Sequence, residues 1–160
     1  MTRGTTLFLK SALILIGLPV LALCIFFVPW IANYAVKLYP DMAYLKYLVL
    51  LDLYAAAIPF YAALYQAFKL LGYIDKNQAF SELSVAALKK IKLCAISISA
   101  LYAVGLPLLY LIAEADDAPG LILIGLVIIF ASLVIAVFAA VLQRLLKEAI
   151  DIKSENDLTV

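Results

Sequence analysis

Four long apolar stretches restrict the fold of this sequence more than any other feature. They cover residues 11–30, 47–68, 93–113 and 120–142. Each approaches or exceeds the roughly 20 residues that an α-helix needs to cross about 30 Å of hydrocarbon. Because lipid offers no hydrogen-bond partner, the backbone of such a stretch must pair internally. The sequence therefore predicts an all-α integral membrane protein, a four-helix bundle that forms a single domain over residues 1–160.

Composition argues against a soluble protein or an enzyme. Hydrophobic residues make up 68% of the chain and charged residues 14%, whereas soluble domains average roughly half and roughly a quarter. The chain has no histidine, and it shows neither a glycine-rich phosphate loop nor a nucleophile with a recognisable base. We therefore predict no enzymatic activity, catalytic residue, cofactor or metal site, and we expect the lipid bilayer to be the main partner.

Positive charges predict the orientation of the helices. Of the 12 lysine and arginine residues, all but two lie at the N-terminus, around the middle loop 72–92 or in the tail 143–160. The two exceptions, Lys37 and Lys46, flank the first connection, and the acidic connection 114–119 has none. Lysine and arginine favour the cytoplasmic side of short loops. We therefore predict a multi-pass protein of the bacterial inner membrane with both termini, the middle loop and the tail in the cytoplasm.

Asp52 is the only aspartate, glutamate, lysine or arginine inside a predicted span. Ionisable groups in a membrane are costly, which makes Asp52 a candidate for function. Gln66 shares its helical face, and small residues lie between the two at alternating spacings of four and three. One interpretation is an intramembrane polar site formed by Asp52 and Gln66. In the other, Asp52 reaches interfacial water or a tyrosine hydroxyl, and the face serves only packing.

The middle loop has the features of a surface segment. Gly72 is predicted to end the second helix, and Ser81 to cap a short basic amphipathic helix that lies on the membrane before the third span. Its lysines either anchor the loop to lipid or form part of a docking surface centred on Phe80. The residues predicted to bind a partner lie in this loop and in the tail: Asn77, Phe80, Ser81, Lys89, Lys90, Asp157 and Leu158.

The last two spans contain small residues at a spacing of four. Such residues let membrane helices approach closely, so we expect the two faces to meet, although alanine-rich helices also show this pattern by chance. The faces consist of Ala95, Ser99 and Ala103 in one helix and of Ser132, Ala136 and Ala140 in the other. Apolar residues also recur at helical spacing from Leu142 to Ile152. They predict that the last helix extends into the cytoplasm.

Two short patterns carry a resemblance to a known family. They are the loop sequence 77–81 (Asn-Gln-Ala-Phe-Ser) with 88–91 (Leu-Lys-Lys-Ile), and the terminal sequence 152–160. With these patterns, its length and its four spans, the chain resembles the bacterial membrane family known as domain of unknown function 2975. The resemblance implies a small four-helix protein that is often encoded beside a helix-turn-helix regulator of the Cro/repressor type. It therefore implies a role in membrane-linked control of transcription.

Two hypotheses for function follow. The first is a non-enzymatic regulatory or scaffold protein that holds a cytoplasmic partner, such as a small helix-turn-helix transcription regulator, at the membrane. The second is a small transporter, channel-like or peptide-immunity component with a path along the face from Asp52 to Gln66. Because this face has few polar groups, the second hypothesis favours a homo-oligomer. Direct nucleic-acid binding is not expected, since the chain has no soluble domain.

Overall fold

The computed structural model describes residues 3–115 and 117–159 and confirms the all-α class. A first spanning unit consists of α1 (Arg3–Ala22), a π-helical turn (Leu23–Phe27) and α2 (Val28–Leu38). Three single helices follow: α3 (Leu45–Asp75), α4 (Glu82–Ala115) and α5 (Gly120–Thr159). No strand occurs within these ranges. The chain thus has four helical units that are long and apolar enough to cross a membrane.

The apolar surfaces of these helices point mostly outward. Within the most apolar window of each unit, only 6%, 11%, 22% and 17% of the residues, in chain order, are buried inside the protein. Large side chains such as Phe26, Ile58 and Phe138 are exposed. Exposed apolar surface on this scale is stable only in lipid. The chain is therefore a multi-pass membrane protein in contact with the bilayer.

Each helix packs mainly against its neighbour in the sequence: the first unit on α3, α3 on α4, and α4 on α5. Among the described residues, the backbone of α5 approaches only α4. The helices therefore form an open row rather than a closed ring. The small-residue faces of α4 and α5 meet in part, because Ala95, Ser99, Ser132 and Ala136 are buried. Ala103 is exposed, since a spacing of four drifts by about 40° per step around a helix of 3.6 residues per turn.

The two ends of the row differ in charge. We call the end with the connections 39–44 and 117–119 the acidic end, and the end with residues 76–81, the beginning of α1 and the end of α5 the basic end. At the basic end, Lys10 Nζ lies 3.6 Å from Asp75 Oδ2. This ion pair joins the beginning of α1 to the end of α3, as expected for antiparallel neighbours.

A residue with left-handed backbone conformation lies two positions after the last residue of both α3 and α4. Asn77 has φ 58° and Asp117 has φ 50°. Beyond them, the Gln78 amide donates to the Tyr73 carbonyl at 2.7 Å, and the Ala118 amide donates to the Ala113 carbonyl at 2.9 Å. This is the Schellman arrangement that satisfies the last carbonyls of a helix.

The prediction that Gly72 ends the second helix is wrong. The helix α3 continues to Asp75, because Asn77 supplies the left-handed residue instead. The prediction of a separate surface helix is also wrong, since α4 runs unbroken from Glu82 to Ala115. Ser81 precedes α4, and its carbonyl accepts from the amides of Ser84 and Val85. Its hydroxyl, however, donates to the Gln78 carbonyl at 2.6 Å rather than capping an amide.

The first spanning unit is longer than the predicted span 11–30, because helix α2 continues to Leu38. Within this unit, Trp30 stacks on Phe27 and Tyr34 along one side of the helix, with ring centroids 5.9 and 5.3 Å apart. Residues 39–44 alone therefore connect the first unit to α3.

Candidate functional site

The π-helical turn in the first unit leaves a backbone carbonyl for a neighbouring helix to satisfy. Within this turn the Val28 amide donates to the Leu23 carbonyl, five residues back. The same spacing would pair the next amide with the Cys24 carbonyl, but residue 29 is proline and has no N–H. The hydroxyl of Tyr54 in α3 donates to the Cys24 carbonyl at 2.8 Å. A cross-helix bond thus compensates for the missing amide.

A second tyrosine fixes the same helix pair. The Tyr61 hydroxyl donates to the Gly17 carbonyl at 2.9 Å. The two tyrosines are seven residues apart, and so are the two carbonyls that they bond, Cys24 and Gly17. Because the helices are antiparallel, the later tyrosine bonds to the earlier carbonyl. Two bonds at matched spacing set the register between the first unit and α3, and the register decides which residues of α3 face inward.

A buried apolar core lies between these tyrosine bonds and the acidic end. Its buried members come from the first unit, α3 and α4: Ile31, Ala32, Ala35, Leu45, Val49 and Ile112. The Tyr39 hydroxyl also donates to the Leu111 carbonyl at 2.9 Å, and this bond ties the end of α2 to α4. Apolar burial together with this bond fixes the helices firmly at the acidic end.

A cavity of about 160 Å³ lies next to this core, and all four spanning units line it. Its lining includes Phe27 of the first unit, Asp52 of α3, Tyr102 of α4 and Ile124 of α5. The other described residues that line it are apolar and include two glycines, Gly105 and Gly125. The cavity is therefore a hydrophobic space with one acidic group and one phenol.

Gly105 makes room for the Asp52 carboxylate. A Cβ atom placed on Gly105 would overlap Asp52 Oδ2 and would lie 2.8 Å from Asp52 Cγ. Tyr102 lies within electrostatic reach of Asp52. In the part of the chain that the structure describes, no side chain or amide forms a hydrogen bond or ion pair with this carboxylate. Asp52 thus packs against backbone in an apolar wall without a partner of opposite charge.

The structure separates the two residues of the predicted intramembrane site. Asp52 lines the cavity, whereas Gln66 does not. Fourteen positions along α3 correspond to about 21 Å, which places Gln66 toward the basic end. Sequence reasoning also missed Tyr102 and Gly105. A glycine inside a long apolar helix was the available signal, because such a residue often marks a close approach.

The residues predicted to bind a partner all lie on the basic half of the molecule. Asn77, Phe80 and Ser81 belong to the connection between α3 and α4, while Lys89 and Lys90 are exposed on α4. Asp157 and Leu158 are exposed near the end of α5. Asn77 has a structural role, since its left-handed conformation ends α3. Among the described residues, no group of three cysteine or acidic side chains could hold a metal ion.

Four apolar helical units around one acidic cavity define a small multi-pass membrane protein with a single intramembrane carboxylate. Residues 30–160 match the family described as "Protein of unknown function (DUF2975)", and the chain belongs to this family. The chain is also 72% identical to the uncharacterized membrane protein YoaS of Bacillus subtilis (strain 168), over the full length of both chains. No solved structure matches it. These findings confirm the family resemblance and the membrane location.

Proposed function

We propose that this protein is a non-enzymatic regulatory or scaffold protein that holds a soluble cytoplasmic partner at its basic end. The observation that carries the proposal is the length of α5. This helix continues to Thr159, about 25 Å beyond residue 142 at 1.5 Å per residue. It therefore provides a helical surface well beyond the hydrocarbon.

The outer part of α5 exposes apolar side chains between charged ones. Ile152 is 59% exposed and Leu158 is 83% exposed, while Leu146 and Ala149, which precede Ile152 along the helix, are half-buried. In water, large exposed apolar side chains on an amphipathic helix are typical of a surface that binds another protein. Phe80, which is 57% exposed, adds an aromatic side chain at the same end.

The partner class comes from the family resemblance and from the charges. The resemblance implies a small helix-turn-helix regulator encoded nearby. Lysine and arginine predominate at the basic end, which supports the orientation with both termini in the cytoplasm, where such a regulator would be found. Control of transcription would then act through capture of the regulator, without contact between this protein and DNA.

Photo-crosslinking in living cells tests this proposal. A photoreactive amino acid at Ile152 should crosslink to one soluble protein, whereas the same group at Val137, a lipid-facing position of α5 that is 62% exposed, should not. An Ile152→Lys variant should recover less of that protein from mild detergent, and a neighbouring Asp151→Asn variant should recover the normal amount. If Ile152 captures no soluble protein and deletion of the gene leaves the transcriptome unchanged, the proposal is wrong.

The alternative, a small transporter or channel-like component, draws support from the cavity at Asp52. Transport would require this carboxylate to interact with the moving species. Proteoliposomes should then show a flux of protons or potassium ions that falls in the Asp52→Asn variant. An unchanged flux in that variant would count against transport and would leave the scaffold function as the better account.

A further inference from the structure

The cavity at Asp52 has the properties of a ligand site that is separate from the proposed partner surface. We propose that it binds the ammonium head of a lipophilic amine. Asp52 provides the opposite charge, and the apolar tail of the ligand leaves between the first spanning unit and α5. This inference does not depend on a cytoplasmic partner, because the cavity lies in the apolar part of the helices near the acidic end.

Charge is the first argument for this ligand class. Among the described residues, Asp52 is the only charged one that lines the cavity, and none of them pairs with it. A carboxylate in apolar surroundings is costly unless a positive group or several donors compensate it. Since the part of the chain that the structure describes contributes no lysine or arginine to the lining, a cation that binds Asp52 comes from outside the chain.

The size and lining of the cavity narrow the choice of cation. Its volume of about 160 Å³ is close to that of an apolar cavity that accepts a benzene molecule, so it suits a small head group rather than a whole lipid. The aromatic side chains of Phe27 and Tyr102 line it together with Asp52. Aromatic rings beside a carboxylate are a common environment for quaternary and primary ammonium groups.

The arrangement of the helices provides a route for a tail. The backbones of the first unit and α5 do not approach each other within the described residues, although Phe27 and Ile124 line the cavity from those two sides. The first unit and α5 therefore meet at most through side chains, and in a bilayer hydrocarbon lies outside this side of the row. An alkyl tail placed there stays in lipid while its charged head reaches Asp52.

A binding measurement with defined amphiphiles tests the site. The purified protein would be placed in nanodiscs of phosphatidylglycerol alone and titrated with dodecyltrimethylammonium, with dodecyl maltoside as a neutral control of equal tail length. Trp30 is the only tryptophan in the chain, and it stacks on Phe27 of the cavity wall, so its fluorescence reports on occupation. We expect a saturable change with the ammonium compound and none with the maltoside.

Matched variants separate charge from folding. Asp52→Asn should weaken binding by about tenfold or more, since it removes the charge that faces the ammonium group. Asp41→Asn, at an exposed acidic residue in the connection 39–44, should leave binding unchanged. Gly105→Ala, which displaces the carboxylate, should also weaken it. If Asp52→Asn does not fold, Ile128→Phe provides a second test, because a larger side chain at this half-buried lining position should reduce the cavity and weaken binding without changing charge.

Equal affinity of the original protein and the Asp52→Asn variant would overturn the proposal, as would an equal response to the maltoside. A further comparison identifies the natural source of the ammonium group. Phosphatidylethanolamine added to the nanodiscs should compete with the probe if a lipid headgroup occupies the site. An unchanged probe affinity in its presence would indicate a free amphiphilic amine. Both results support an ammonium site at Asp52.

Discussion

At the acidic end, the helices pack around a buried apolar core. At the basic end, α5 extends past the neighbouring helices to Thr159. Ala32 and Ala35 have no exposed surface at the acidic end. At the basic end, Phe80 and Ile152 are largely exposed. The basic end also has buried residues, such as Ser84, so the difference lies in α5, which extends past its neighbours at that end and exposes Ile152 there.

The bonds between helices differ in the same way. At the acidic end and halfway along the helices, tyrosine hydroxyls donate to carbonyls of neighbouring helices. Tyr39 and Tyr54 form such bonds. At the basic end, α1 and α3 are joined by the ion pair of Lys10 with Asp75, which is partly exposed. Hydrogen bonds shielded by lipid persist at any ionic strength, whereas partly exposed ion pairs weaken in salt.

The largest expected effect comes from overpacking the core of the acidic end. Ala35 lies fully buried where α2 packs against α3. An Ala35→Leu variant should lower the free energy of unfolding by about 1–3 kcal/mol, since a close-packed site has no space for a larger side chain. Unfolding in mixed micelles, followed by Trp30 fluorescence, provides the measurement. Ala131→Leu, at an exposed position on α5, is the control and should have almost no effect.

The next effect concerns the bond that compensates for Pro29. Tyr54→Phe should cost about 1–2 kcal/mol of unfolding free energy, because it leaves the Cys24 carbonyl without a partner. Tyr47→Phe, at an exposed tyrosine, should cost little. In a Pro29→Ala background an amide can bond to the Cys24 carbonyl, so the cost of Tyr54→Phe should fall. Equal costs in both backgrounds would show that the proline does not create the need for Tyr54.

The helix termini allow the two ends to be compared directly. Asn77 at the basic end and Asp117 at the acidic end both have positive φ. Alanine at either position should cost about 1 kcal/mol, whereas glycine should be neutral or slightly stabilising. Thermal unfolding of the four variants in detergent measures this. A loss of stability for Asn77→Gly as large as for Asn77→Ala would indicate that the Asn77 side chain does more than end α3.

The smallest effect is expected for the charges of the basic end. Lys10→Met should cost less than about 1 kcal/mol, and the cost should decrease as salt is added, because the pair with Asp75 is partly exposed. Glu148→Gln should have no measurable effect, since Arg144 and Glu148 form a well-exposed pair within one helix. A salt-independent loss in Lys10→Met would show that packing of the lysine chain holds α1 on α3.

The sequence predicted the fold class and the location of the apolar helices, because the requirement to span hydrocarbon acts on every residue of a long stretch. The prediction of helix ends from the sequence was less accurate. Gly72 is a common helix terminator, but the left-handed residue of α3 is Asn77. The first span was predicted to end at residue 30, yet helix α2 continues to Leu38. In both places the sequence pattern indicated only an approximate helix boundary, because helical backbone continues past the expected end.

Asp52 was identifiable from the sequence because a charge in an apolar span is rare and costly. Its surroundings were not, since they depend on the register between helices far apart in sequence. Gly105 meets Asp52 only because α3 and α4 pack side by side. Gln66 shares the helical face of Asp52 but lies too far along α3 to join it. Helical periodicity predicts which residues share a face, whereas the cavity depends on the packing of all four units.

The central claim is that the basic end, with its exposed partner surface, faces the cytoplasm and that the acidic end faces outward. Cysteine accessibility tests it most directly, in a background in which Cys24 and Cys94 are replaced by alanine. With Asp117→Cys, a membrane-impermeant maleimide should label intact cells. Gln78→Cys and Ser154→Cys should be labelled only after the cells are opened. Labelling of Gln78→Cys or Ser154→Cys in intact cells would contradict the claim and would remove the basis for a cytoplasmic partner at this end.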